Sequence, residues 1–114
     1  MALQKFESLT QDELQLAEKI KAGLKNHTGE AKAISSSQMI TSMANFNIKT
    51  NAVVIRKIIN YLRHKGHPIC SSDKGYWWAA NKKELQECAA ALKDRIDAQQ
   101  STLNQLTSII ENYD

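Results

Sequence analysis

The chain has 114 residues, 42% hydrophobic and 24% charged, which fits one folded unit with a modest core and excludes two. Its apolar runs, such as residues 52–55, are far short of the roughly 18 residues a membrane span needs, and the opening MALQKFESLTQDE has acids where a signal peptide would be apolar. A cytoplasmic protein is therefore expected. The net charge of +3 is unevenly spread: residues 45–80 carry six Lys or Arg against Asp73 alone, residues 1–44 are balanced, and residues 81–114 are net acidic. Positive charge confined to the middle third is a local footprint for a polyanion.

In chain order, Thr10 followed by Glu13 makes a capping box, and Leu14, Ala17, Ile20 and Leu24 recur at helical spacing. This predicts a first helix ending near Lys25 or Asn26, with the following NHTGE a polar loop. A short second helix is predicted from Ser36 or Ser37 as N-cap to Ala44 or Asn45, burying Met39, Ile40 and Met43. After the turn NFNIKTN, Thr50 or Asn51 caps a third helix. Its apolar face is Val54, Ile55, Ile58, Ile59 and Leu62, its stop is Gly66, and Asn51, Arg56, Lys57, Asn60 and Arg63 lie opposite.

Beyond Gly66 the pattern alternates: HPICSS, a turn at Asp73-Lys74-Gly75, then YWWAA, which predicts a two-stranded hairpin. Tyr76 and Trp78 are expected to cover the core, leaving Trp77 outward against a helix or a partner, with base stacking the other option. The last helix is predicted to open at Asn81, with Glu84 at the capping-box position. Its heptad comprises Leu85, Ala89, Leu92, Ile96, Gln99, Leu103, Leu106 and Ile110. One way to satisfy that stripe is to fold the first half back on the body. The other pairs Leu92, Ile96, Gln99, Leu103, Leu106 and Ile110 with a second copy, polar Gln99 helping to set the register.

Three helices, a hairpin and a long helix make a mainly α fold with a small β-hairpin (α+β), the outline of a winged helix-turn-helix over residues 1–80 followed by a dimerisation helix over 81–114. The run IRKIINYLRHKGHPICSSDKGYWWA resembles the winged helix-turn-helix family typified by the N-terminal domain of biotin-operon repressors. That family has I-x-x-L-R-x-x-G at the end of its recognition helix, then an apolar strand and G-K/R-G-Y-x-L. The matching residues are Ile59, Leu62-Arg63, Gly66, Ile69 and Lys74-Gly75-Tyr76, over residues 35–79. Trp78 stands where the family has an aliphatic residue, and a final helix stands where a sensor domain would follow. The resemblance implies a reader without a sensor, similar to small stand-alone regulators and accessory proteins of phages and mobile elements.

On that outline Arg56, Lys57 and Asn60 lie on the helix that would enter the major groove, where Arg and Lys suit guanine or phosphate and Asn suits adenine. Lys49 is expected to contact DNA with them, and Thr50 and Asn51 sit at the helix N-terminus, placed for a phosphate. Ser72 and Lys74 at the hairpin tip would touch the backbone or minor groove. The expected partners are double-stranded DNA and a second copy, and the expected role is a homodimeric transcriptional regulator. A protein-interaction adaptor acting through Trp77 and the last helix is the alternative. His64, His67 and Cys70 lack a fourth ligand at recognisable spacing, so no metal or cofactor is expected, and the chain has no catalytic motif.

Overall fold

The computed structural model describes residues 9–113. The first eight residues, including most of the stretch read against a signal peptide, and Asp114 lie outside the described residues. The described residues are 66% helical and form four α-helices and one antiparallel hairpin. The order is α1 (Gln11–Leu24), a 3-10 turn (Glu30–Lys32), α2 (Ser36–Ala44), α3 (Ala52–His64), β1 (Ile69–Ser72), β2 (Gly75–Trp78) and α4 (Lys82–Glu111). Among the described residues, no helix is long and apolar enough to cross a membrane.

Helix boundaries follow side-chain capping. Thr10 Oγ1 accepts from the Glu13 N–H at 3.1 Å while the Thr10 N–H donates to Glu13 Oε1 at 2.9 Å, closing the expected box. The cap of α2 is Ser35, one residue before the expected Ser36 or Ser37. Gln38 decides this, because it stands three residues after Ser35 and its Oε1 accepts from the Ser35 N–H. Asn51 caps α3 through the Val54 N–H. That helix ends in a Schellman arrangement, with Gly66 at φ +92°, its N–H on the Arg63 carbonyl and the His67 N–H on the Leu62 carbonyl.

The core gathers Leu16, Ala17, Ile20 and Leu24 of α1, Met39 of α2, Ile55, Ile58, Ile59 and Leu62 of α3, and Ile69 of β1. Burying each large aliphatic side chain contributes about 1.5–3 kcal/mol, so α3, with four of them, is the organising element. In α1, Leu16 is buried and the expected Leu14 is only half-buried. Leu16, Ala17, Ile20 and Leu24 form a tighter stripe toward α3 than the spacing through Leu14 suggested.

The hairpin pairs Ile69 with Trp78, Cys70 with Trp77, Ser71 with Tyr76 and Ser72 with Gly75, so its tip is Asp73-Lys74. β1 starts at Ile69 rather than at His67, because Pro68 has no N–H to give a ladder. The stretch expected to be a free polar loop after α1 instead lies along β2. Trp78 donates to the His27 carbonyl, Gly29 donates to the Trp78 carbonyl, and Ile34 and Tyr76 exchange both backbone bonds at 2.8 Å. At Gly75, φ +123°, a Cβ would collide with the Ile34 carbonyl, so a glycine is required for this close approach.

Alternation puts Tyr76 and Trp78 toward the core, as expected, and Cys70 and Trp77 on the other face. That face is covered by the start of α4, and Trp77 is only 5% exposed. Trp77 is therefore a packed side chain of this chain's own second layer, which leaves it no free surface for a base or a partner. α4 is otherwise bare: none of its residues is buried, and only Glu84 and Cys88 are even half-buried.

Candidate nucleic-acid interface

A cleft of about 1120 Å³ runs along the outer side of α3, between the N-terminus of α2, the hairpin and the third and fourth turns of α4. Its floor is Val53, Arg56, Lys57 and Asn60, which recur at i, i+3, i+4 and i+7 and so share one helix face. The buried Ile55, Ile58, Ile59 and Leu62 face inward, and this forces the polar set outward. The lining holds the cations Arg56, Lys57, Arg63 and Arg95 against a single acid, Asp73.

These cations are not equivalent. Arg63 is structural: its Nε donates to the Ile69 carbonyl and its guanidinium to Ser71 Oγ, both at 2.9 Å, which ties the end of α3 to β1. Lys57 reaches back to Glu13 of α1, with Nζ 3.1 Å from Oε1 and side chains 25% and 18% exposed. The Thr10 N–H first, and Lys57 next, hold the Glu13 carboxyl below its ordinary value. Arg56 is exposed and has no hydrogen-bond or ion-pair partner among the described residues. Asn60 presents an exposed amide one turn further along, while its carbonyl accepts from His64 Nδ1.

Of the residues singled out from sequence, the cleft brings together Arg56, Lys57, Asn60 and Ser72, and it leaves out Lys49, Thr50, Asn51 and Lys74. Asn51 uses its side chain as the cap, Thr50 Oγ1 is buried without a partner, and Lys49 is exposed beyond the cleft. Lys74 leans from the hairpin tip toward Glu30, at 3.9 Å and largely solvated. Sequence reasoning missed Val53, the serines at the start of α2 and Arg95 of α4, and it assigned Leu92, which also lines the cleft, to the dimer stripe alone. Val53 could have been noticed, being an apolar residue on the polar side of α3. Arg95 had no local signal.

α4 is held at its base by one carboxylate. Glu84 accepts from the Ala80 N–H at 2.8 Å, from Trp77 Nε1 at 3.1 Å and from the Glu30 N–H at 3.1 Å. The Asn81 cap is present, but the expected reciprocal bond from Glu84 is redirected into this three-way clamp. Ala80, then Glu30, hold the Glu84 carboxyl below its ordinary value. Beyond the clamp, Leu92, Ile96, Leu103, Leu106, Ile109 and Ile110 are each about half exposed or more. Among the described residues, no group of three or more His, Cys, Asp or Glu is placed to hold a metal ion. Comparison of the chain with known protein families, with curated proteins and with solved structures gives no match.

Proposed function

We propose that this chain is a winged helix-turn-helix protein that binds double-stranded DNA sequence-specifically as a homodimer and acts as a transcriptional regulator. The observation that carries the proposal is the outer face of α3, where Arg56 and Asn60 stand exposed and uncommitted in a cleft whose lining is strongly cationic. Arg and Asn are the side chains that pair bidentately with guanine and adenine in the major groove, each good pairing giving about 1–3 kcal/mol of discrimination. Val53, 66% exposed on the same face, suits a thymine methyl. The hairpin beside α3, bridged on its other edge at Thr28 and Ile34, has the form of a wing. Occupancy of an operator, with no chemistry, is the mechanism.

The homodimer rests on α4. With no buried residue, α4 lacks the tertiary packing that supplies most helix stability in proteins, and its exposed stripe keeps the spacing of a coiled-coil seam. A two-fold pair would present two α3 helices to two half-sites. Fluorescence anisotropy on duplex DNA at two salt concentrations tests the proposal. Submicromolar, steeply salt-dependent binding that Arg56→Ala weakens is the expected result, and no binding at low salt would overturn it.

A further inference from the structure

The cleft has a wall that the helix-turn-helix outline does not supply. Cys88, Ala91, Leu92 and Arg95 recur at i, i+3, i+4 and i+7 along α4, so they share one face. Cys88 lies against β1, its Sγ 3.9 Å from the Ser71 carbonyl, and this contact, with the Glu84 clamp, sets the rotation of the helix. One to two turns on, roughly 5–10 Å along the axis, the same face lines the cleft with Ala91, Leu92 and Arg95.

Arg95 differs from the other cations nearby. Lys93, two residues before it, is paired with Asp97 at 2.9 Å and does not line the cleft. Lys57 and Arg63 are engaged within the fold. Arg95, like Arg56 across the cleft, has no partner among the described residues. Two uncommitted guanidinium groups from different helices thus face one groove, and such groups hold phosphate by paired N–H donors.

We infer that Arg95 is a phosphate-contacting residue, so that α4 grips the DNA backbone directly while α3 reads the bases, a role that rests on the DNA-binding proposal above. Arg95 also directly precedes Ile96 of the apolar stripe. The backbone contact therefore lies beside the seam that a second copy would cover.

The test uses the full chain and a fluorescein-labelled duplex of random sequence, titrated across a potassium chloride series. Arg95→Gln should flatten the slope of log affinity against log salt by about 0.9, which is about an eightfold loss at about 0.1 M salt, the share of one released counterion. Arg95→Lys should keep the wild-type slope, and Lys93→Gln should change neither slope nor affinity. Sedimentation of each variant should match the wild type. An unchanged slope for Arg95→Gln, an equal loss for Lys93→Gln, or a loss that accompanies a changed oligomeric state would each overturn the assignment of Arg95 while leaving wild-type duplex binding intact. Absence of duplex binding by the wild type would instead overturn the DNA-binding proposal itself.

Discussion

The Trp77 indole N–H donates to the Glu84 carboxylate at 3.1 Å, and through this bond the outer face of the hairpin and the base of α4 become one unit. The same carboxylate receives the Ala80 and Glu30 N–H groups. Glu84 therefore sets where α4 leaves the body, and with it where Arg95 and the apolar stripe point.

This clamp predicts an acid-sensitive helix base. Ala80 first, then Glu30, lower the Glu84 pKa from its ordinary 4.5. A lowered folded-state pKa means that the stabilisation is fully present above 4.5 and is lost as pH falls below it through the folded value. Glu84→Gln should flatten the acid limb of a stability–pH curve and speed amide exchange at Ala80 and Glu30 at neutral pH. A Gln variant with the wild-type acid limb would show that another carboxylate governs it.

Gly75→Ala should separate the hairpin from the strand-like segment before α2. The new methyl meets the Ile34 carbonyl at a positive φ, and such strain costs on the order of 1–3 kcal/mol. Chemical denaturation should register the loss, and exchange at the Ile34 and Tyr76 amides should rise more than exchange inside α3.

Lys57 and Arg56 are neighbours in sequence with different surroundings, since Lys57 lies on Glu13 and Arg56 does not. Arg56→Ala should therefore weaken duplex binding more than Lys57→Ala. Lys57→Ala should instead raise the Glu13 pKa and reduce thermal stability. Equal binding losses with unchanged stability for both variants would place Lys57 on the DNA.

The two cysteines should differ in reactivity. Burial first, and Cys88 next, push the Cys70 thiol up to about 12, so it remains protonated at neutral pH. Alkylation of the native protein, read by mass spectrometry, should label Cys88 and spare Cys70 until denaturant is added. Because the folded-state pKa is raised, the associated stabilisation is present below the ordinary 9.0 and declines as pH rises toward 12.

Truncation after Ala98 removes Leu103, Leu106 and Ile110 but spares the Glu84 clamp. Sedimentation should show a monomer whose near-ultraviolet spectrum, reporting Trp77, is unchanged. A dimer that survives this truncation would refute the role given to the stripe.

Much of the fold was legible because its signals are local. Thr10 with Glu13, Asn51 and Gly66 mark ends through bonds made within one turn, and the spacing of Ile55, Ile58, Ile59 and Leu62 names the buried face of α3. The α2 cap was misplaced by one residue where three serines compete and only Gln38 settles the choice. Residues 27–34 gave no strand pattern, because they meet β2 only in isolated bridges at Thr28 and Ile34, on either side of a 3-10 turn.

In the candidate site, Arg56 and Asn60 follow from sequence alone, since a helix with one apolar face must present the other to solvent. Which of the outward groups remain available was decided only in three dimensions. Lys57 is drawn to Glu13, 44 positions away, and Trp77 is covered by a helix that begins after the hairpin closes. Arg95 reaches the cleft because Glu84 and Cys88 fix the rotation of α4. Periodicity and capping act over a few residues and so are written in the local sequence, whereas the partner of a long charged side chain depends on which distant elements the core brings alongside it.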